Sequence, residues 1–181
     1  CNTNSSTIPR ESDAVLYTHA GPEIAVASTK ALLTQIIAVY LIGLHLGQVN
    51  GSLKDTEVRD LYKELLELPG KIEQILETVE PLRELTRTFA QNNTVLFLGR
   101  NIGYPVALEG ALKLKELAYI HAEGFAGGEL KHGPIALIDQ GTPVIAILPA
   151  GREHSLDEKM LSNIQEVKAR GARVIVIAEE G

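Results

Sequence analysis

The spacing of apolar and polar positions predicts a second half in which short buried strands alternate with helices. Apolar runs of four to six residues occupy 95–98, 143–148 and 174–178, and runs of this length without alternation are typical of strands buried on both faces. Apolar residues at three- and four-residue steps over 156–170 predict an amphipathic helix. Residues 149–153 are expected to end the strand that precedes this helix. We therefore predict an α/β fold, a three-layer α/β/α sandwich with a parallel sheet.

The first half has a different pattern, and it predicts mainly helices. Only the segment 14–17 is a short apolar run, which predicts one further strand. From Lys30 to Gly47 apolar residues are dense and do not alternate, which predicts a helix buried on most sides. Apolar positions recur at helical steps through 52–91, where Pro69 and Pro81 are expected to separate three helices, since proline removes a helix hydrogen bond.

Composition narrows the classes of function. With 181 residues, 45% of them apolar, the chain can bury a sizeable core in one or two domains. The net charge of −6 gives no indication of nucleic acid or a membrane surface as a partner, and no apolar run is expected to reach the length of a transmembrane helix. One cysteine fits a reducing, cytoplasmic setting. The five histidines lack ligand spacing, so neither a metal nor another cofactor is expected.

Candidate chemistry is concentrated in residues 94–134. A strand, a glycine-containing turn and a helix form the front half of a βαβ unit there, and the turn amides with the helix N-terminus predict an anion site. Glu109, Lys113 and Glu116 then share one helix face, and His132 follows a glycine-rich turn. These groups are suited to proton transfer. The alternatives are a surface ion pair between Glu109 and Lys113, and a histidine that only shapes its turn.

Two segments carry a family resemblance. The run ALEGALKLKELAYIHAEGFAGGELKHGPIALI, at 107–138, resembles the second sugar-isomerase (SIS) domain of the glutamine–fructose-6-phosphate aminotransferase family. The run IPRESDAVLYTHAGPEIAVASTKALLTQ, at 8–35, resembles the end of that family's first SIS domain. The resemblance implies the SIS fold and parts of two SIS domains: the end of the first domain at 1–51, a helical connector at 52–92, and the beginning of the second domain at 93–181.

The resemblance also implies an activity and a set of roles. In this family fructose 6-phosphate and glutamine-derived ammonia give glucosamine 6-phosphate. Glu116 would be the base that moves a proton between C1 and C2 of the sugar, and Lys113 its electrostatic partner. His132 would open the sugar ring, acting on the neighbouring subunit of a homodimer. The backbone at Val26 and the hydroxyl of Ser28 would contact the sugar phosphate, whereas from its residue type alone Ser28 is a suitable helix N-cap.

Several family features are expected to lie outside these 181 residues: the Ser/Thr loop that grips the phosphate, the Schiff-base lysine and the glutaminase domain. The chain alone is therefore expected to be inactive. Cys1 is not expected to be the family's glutaminase nucleophile, because the residues that follow it do not match that motif. Two alternatives stay open, a non-catalytic SIS module that binds a phosphosugar and a related deglycase or isomerase. The set Lys113, Glu116 and His132 would discriminate, because a pure sensor has no need of it.

Overall fold

The computed structural model describes residues 1–149 and 154–179, so most of the predicted break at 149–153 lies outside the described residues. By its internal contacts the chain divides into two compact units, Cys1–Arg83 and Glu84–Gly181. The predicted three-part division into SIS segments and a helical connector stays a prediction.

The regular structure of the first unit is helical. Its helices are α1 (Thr7–Glu11), α2 (Lys30–Val49), α3 (Asp55–Glu77) and α4 (Val79–Arg87), the last of which ends in the second unit. The carboxylate of Glu57 accepts the N–H of Lys54 at 2.8 Å and so fixes the start of α3. Pro81 is the third residue of α4, a position where the missing N–H costs no intrahelical hydrogen bond.

Pro69 does not divide the helix that contains it. α3 continues through this proline for 23 residues, so the segment predicted as three helices forms two. Lys71 bridges the proline with ion pairs of 2.8 Å to Glu64 and 3.2 Å to Glu67. Exposed pairs contribute about 0.2–1 kcal/mol each, less than the ~3 kcal/mol cost of an internal proline. Most of the compensation therefore comes from the cooperative hydrogen bonding on both sides of Pro69.

The apolar segment 14–17 was predicted as a strand, and this prediction is wrong. Its described backbone hydrogen bonds involve Cys1, whose amine donates to the Leu16 carbonyl at 2.8 Å and whose carbonyl accepts the N–H of Thr18 at 2.9 Å. A strand requires a neighbouring ladder along its length. The sheet of the described residues is formed by the second unit, so the segment has no ladder to pair with and is not a strand.

Helix α2 is far more exposed than its composition predicts. Leu44 and Gly47 are its buried residues, whereas Ile36 is 57% and Val39 69% exposed. The prediction of a helix buried on most sides is therefore wrong, because its unit supplies too few apolar surfaces to cover it. α2 is also long and apolar enough, by length and composition, to cross a membrane, which corrects the expectation that no run reaches that size. Core helices of soluble proteins meet the same criterion.

The second unit is built on a four-stranded parallel sheet. Its strands are β1 (Thr94–Gly99), β2 (His121–Ala126), β3 (Pro143–Leu148) and β4 (Arg173–Ala178), in the order β2–β1–β3–β4. The intervening helices are α5 (Gly103–Ala118) and α6 (His154–Ala169), together with two 3₁₀ helices, Gly127–His132 and Pro134–Leu137. Strands β1, β3 and β4 and helix α6 confirm the predicted elements within two residues at each end. Burial of β4 on both faces was also expected, and this is wrong: β4 lies at the edge of the sheet, with Val176 44% and Ile177 55% exposed.

Strand β2 was missed by the sequence analysis. Its sequence HAEGFA contains His121, Glu123 and Gly124, so it shows neither an apolar run nor regular alternation. It pairs with β1 in parallel from Thr94 opposite His121 to Gly99 opposite Ala126. An edge strand of a sheet tolerates such polar residues, because only one of its sides is paired.

The sheet has an apolar core on each face, because successive residues of a strand point to opposite sides. On one face Val95 and Phe97 of β1 pack with Ala107 and Ala111 of α5. On the other face Leu96 and Leu98 of β1 pack with residues of α6, namely Met160, Ile164 and Val167. Helix, sheet and helix are the three layers predicted from the sequence, so the predicted fold class is confirmed.

Candidate active site

The turn after β1 sets the position of helix α5. A Cβ atom on Gly99 would lie 2.1 Å from the carbonyl oxygen of Gly103, so the strand can approach the helix start this closely only with glycine at 99. Asn101 adopts a left-handed conformation (φ 49°) between them, which asparagine tolerates better than most residues. The turn therefore brings the start of α5 directly against the carboxyl end of β1.

The anion site predicted at this turn is not supported by its hydrogen bonds. The N–H of Gly103 donates to the carbonyl of Arg100 at 2.8 Å, and the N–H of Tyr104 donates to that of Asn101 at 3.1 Å. Both amides are thus used within the turn, and an anion would have to compete with these bonds. The anion site at this turn stays a prediction that these two hydrogen bonds do not support.

Helix α5 brings one ammonium group between two carboxylates. Nζ of Lys113 lies 2.6 Å from Oε2 of Glu116 and 3.2 Å from Oε1 of Glu109. All three side chains are partly buried, with 21–31% of their side-chain surface exposed. The helix presents them on a rigid face, because Ala107 and Ala111 anchor its other face on the sheet. The predicted shared face of these three residues is confirmed.

The two carboxylates of this cluster stabilise the charged form of Lys113. The hydrogen bond that Lys113 donates to Glu116 raises the pKa of Lys113; burial opposes this rise, and the hydrogen bond to Glu109 adds to it. Lys113 is therefore a permanent cation near neutral pH, and with two carboxylates the cluster carries a net negative charge. Lys113 contacts Oε2 of Glu116 and leaves Oε1 without a hydrogen-bond partner in the described part of the chain. An oriented carboxylate with one free oxygen can accept a proton from a bound molecule.

His132 lies at the end of the first 3₁₀ helix, Gly127–His132. Leu130 is fully buried and anchors this helix, while His132 is exposed. Gly133 follows with φ 139°, a conformation open to glycine but strained for other residues. No hydrogen bond or ion pair between His132 and Lys113 or Glu116 occurs among residues 1–149 and 154–179. The structure thus joins Lys113 with Glu116 but leaves His132 apart from them.

Val26 and Ser28 belong to a loop of the first unit that leads into α2. Val26 is 85% exposed, and the Ser28 hydroxyl donates to Oε2 of Glu23 at 3.4 Å. Thr29 is the N-cap residue of α2, but its side chain does not cap the helix. The interpretation of Ser28 as the N-cap of α2 is therefore wrong, because Thr29 occupies that position.

Glu23 performs the capping instead. Its carboxylate accepts the N–H groups of Thr29 at 2.8 Å, Lys30 at 3.0 Å and Ala31 at 3.3 Å, and the Thr29 hydroxyl at 2.5 Å. The hydrogen bond from the Thr29 hydroxyl lowers the pKa of Glu23 to about 2; burial opposes this shift, and the three amides add to it. A negative charge also interacts favourably with the positive end of the helix dipole. Glu23 thus fixes both the start of α2 and the loop that carries Val26 and Ser28.

Sequence reasoning missed a second group of polar residues, on the α6 side of the sheet. We call this the basic cleft; it is lined by Arg100, Gly127, Lys131, Lys159, Asn163 and Glu166. Arg100 and Asn163 meet although 63 positions separate them, and no local pattern announces such a contact. Among the described residues no group of three or more His, Cys, Asp or Glu side chains could hold a metal ion.

Known proteins resemble this chain in both sequence and structure. A family model described as SIS domain matches residues 88–181, just over half of the chain. Enzymes named glutamine–fructose-6-phosphate aminotransferase [isomerizing] are 65% identical in Streptomyces coelicolor and 60% identical in Leifsonia xyli. Each match covers 100% of this chain and 30% of the relative, so the chain spans about 30% of the length of these curated relatives.

Solved structures extend the comparison to the fold. The C-terminal domain of glucosamine-fructose-6-phosphate aminotransferase from Francisella tularensis is 42% identical with a TM-score of 0.94, and the match covers 98% of this chain and 49% of that one. Glucosamine-6-phosphate deaminase from Thermotoga maritima is 25% identical with a TM-score of 0.62, over 96% of this chain and 49% of that one. The resemblance inferred from sequence motifs is thereby confirmed along the whole chain.

Proposed function

This chain belongs to the SIS domain family, and we propose that it forms the sugar-phosphate isomerase region of a glutamine–fructose-6-phosphate aminotransferase. The proposed reaction converts fructose 6-phosphate and glutamine-derived ammonia into glucosamine 6-phosphate. Support comes from relatives of that name that are 60–65% identical over the whole chain. We propose that the chain works within a longer polypeptide and does not complete the reaction alone.

The arrangement of Lys113 and Glu116 on α5 is the observation that carries the proposal. A proton shift between C1 and C2 of the open sugar needs one base that can reach both carbons. The carboxylate of Glu116 is held through Oε2 by Lys113 at 2.6 Å, and its other oxygen is directed elsewhere. A carboxylate fixed in this way can take the proton from C1 and return it to C2 without changing its own position.

Lys113 has a separate electrostatic role in this proposal. Removal of the C1 proton creates an enolamine, with a double bond between C1 and C2, on which negative charge develops. A neighbouring ammonium group that stays protonated lowers the energy of that species, and the raised pKa of Lys113 keeps it charged. The same charge orients Glu116, so Lys113 both positions the base and stabilises the intermediate.

His132 is proposed to open the sugar ring in the active site of a neighbouring subunit. Imidazole is the side chain whose ordinary titration lies closest to neutral pH, as proton transfer to and from a ring oxygen requires. Its exposed position at the end of a 3₁₀ helix that Leu130 anchors in the core fits a residue that reaches outward. The proposed protein is thus a cytoplasmic homodimer that requires neither metal nor other cofactor.

Val26 and Ser28 are proposed to contact the sugar phosphate, the first through its backbone and the second through its hydroxyl. The exposed Val26 and the hydrogen bonds by which Glu23 holds this loop support that role. A loop fixed in advance loses little conformational entropy when it binds a ligand.

The test compares two carboxylates that contact the same lysine. In the full-length protein, Glu116→Gln is expected to lower turnover about 10²–10⁴-fold, as loss of a general base does. Glu109→Gln removes the other ion-pair partner of Lys113. It is expected to lower turnover by less than about tenfold, because the ion pair is lost but the proposed base Glu116 is retained. Glucosamine 6-phosphate formation gives the rate, and calorimetry with fructose 6-phosphate shows that binding is retained.

Equal losses in the two variants would contradict the role of Glu116 and leave it as one half of an ion pair. A full-length protein that binds the sugar phosphate but shows no turnover in any form would identify a phosphosugar-binding module. Isomerisation or deamination without use of glutamine would identify a deglycase or isomerase of the same family.

A further inference from the structure

We propose that the basic cleft is a second ligand site, one that binds a small molecule through a phosphate group. The cleft has a volume of about 430 Å³, within the range of small-molecule sites. Arg100 directly follows β1 and Gly127 directly follows β2. The cleft thus lies at the carboxyl ends of two adjacent parallel strands, where ligands of α/β proteins characteristically bind.

Arg100 supplies an oriented cation. Its Nε donates to Oδ1 of Asn163 at 2.9 Å, and Asn163 is only 3% exposed. Asn163 is neutral, and Arg100 has no carboxylate partner in residues 1–149 and 154–179. Its two terminal nitrogens stay available, and this edge of a guanidinium matches two oxygens of a phosphate. A partly buried cation whose only hydrogen-bond partner is a neutral amide is typical of an anion-binding site.

The other charges of the cleft add to this preference. Nζ of Lys131 lies 2.9 Å from Oε1 of Glu166, so these two charges largely cancel. Burial opposes ionisation of Glu166, but the hydrogen bond and charge of Lys131 outweigh it and lower the pKa of that carboxyl. Lys159 is exposed and has no ion-pair partner among the described side chains. With Arg100 and Lys159 unneutralised, the cleft is positive in a chain whose net charge is −6.

The wall of the cleft at Gly127 is closely packed. A Cβ atom there would lie 2.7 Å from Oδ1 of Asn163 and 3.0 Å from Cγ of Arg100. Any side chain at 127 would therefore push apart the pair that orients the guanidinium. At Gly128 the nearest atom to a Cβ would be a terminal nitrogen of Arg100, 3.7 Å away. Two glycines thus leave the approach to Arg100 open.

The cleft is separate from the cluster proposed for catalysis. Lys113 and Glu116 lie on α5, which packs on the face of the sheet that carries Val95 and Phe97. The cleft is lined by residues of α6, which packs on the opposite face. The sheet lies between the two sites, so a ligand in the cleft is not the sugar undergoing proton transfer.

The experiment is a titration of the ¹⁵N-labelled protein with inorganic phosphate, followed by the backbone amides of Gly127 and Gly128 and the Nε–H of Arg100. Glucose 6-phosphate and glucose are titrated in parallel. We expect saturable shifts at these three reporters with both phosphate compounds and none with glucose, because the phosphate group is what the cleft recognises.

Variants separate this site from general charge effects. Arg100→Gln is expected to weaken phosphate binding by about tenfold or more, the usual loss for a charge-assisted contact. Lys159→Gln is expected to weaken it about twofold to threefold, because an exposed charge is screened by salt. Lys168→Gln, on the same helix but outside the cleft, is the matched control and leaves the affinity unchanged.

Glu166→Gln gives the sharpest result, because it predicts a gain. Removal of this carboxylate frees Lys131 and strengthens phosphate binding several-fold, which a merely damaged fold does not do. Equal affinities in Glu166→Gln, Arg100→Gln and the unaltered protein would overturn the proposal, as would shifts confined to other residues. Glu116→Gln is expected to keep the response of the cleft. Loss of turnover in that variant with normal shifts at Gly127 shows that the two proposals stand or fall separately.

Discussion

The two units bury the same type of residue to very different extents. In the second unit Leu96 and Leu98 are each 1% exposed, while in the first unit Ile24 is 96% and Val26 85% exposed. The second unit has a sheet with helices on both faces, so its central strands β1 and β3 meet apolar partners on two sides. The described part of the first unit has helices but no sheet for them to pack on. The pattern of apolar residues thus predicts which secondary-structure element forms. Its burial depends on whether neighbouring elements supply apolar surfaces that pack against it.

A pair of glycine substitutions gives the largest expected difference between the units. Gly99→Ala forces a Cβ atom to 2.1 Å from a backbone oxygen, and we expect it to destabilise the second unit by about 3 kcal/mol or more. Gly43→Ala in α2 meets no atom within 4 Å and is expected to stabilise its helix by about 0.5–1 kcal/mol. Hydrogen exchange resolved along the chain measures both effects. Comparable effects in the two units would contradict the contrast in packing.

Truncation of aliphatic side chains comes next in size. Leu98→Ala leaves a cavity between the sheet and α6, and we expect it to cost about 2–5 kcal/mol. Ile36→Ala on exposed α2 is expected to change the free energy of unfolding by less than about 0.5 kcal/mol. Urea denaturation of both variants measures the difference. A large loss from Ile36→Ala would show that α2 is covered in solution, by another copy or by further chain, and would narrow the contrast between the units.

The smallest effect concerns acid stability of the loop before α2. Glu23 has its pKa lowered from an ordinary 4.5 to about 2 by folding, so its stabilising contribution is present above pH 4.5 and is lost as the pH falls towards 2. In Glu23→Gln, the protection of the Lys30 and Ala31 amides, corrected for their intrinsic exchange rates, is expected to be several-fold lower at neutral pH and to change little between pH 4.5 and 2. An unaltered acid response in the variant would assign the effect to other carboxylates.

Much of the second unit could be predicted from local patterns. Strands β1, β3 and β4 are uninterrupted apolar runs, and the helical spacing of Glu109, Lys113 and Glu116 directly indicated a shared face. Strand β2 could not be found in this way, because its polar residues and Gly124 hide the pattern and pairing with β1 decides its conformation. Local sequence also overstated the effect of Pro69, since helix cooperativity is a property of the whole of α3.

Long-range contacts explain what the sequence could not reveal about the sites. Glu23 caps α2 from six to eight positions upstream, in place of the adjacent hydroxyls that the usual N-cap preference favours. The hydrogen bond between Arg100 and Asn163 joins the turn after β1 to helix α6, which follows β3 in the sequence. Such contacts form only when the sheet brings distant residues together, so they cannot be predicted from composition or from the spacing of residues.

The strand order also has a consequence for how the second unit is made. β1 pairs with both β2 and β3, and β1 is the first strand of the sheet in chain order. The segment from β1 through α5 to β2 is a complete βαβ unit, and it is synthesised before β3. We expect this segment to form the folding nucleus during translation, with β3 and then β4 added from the other side.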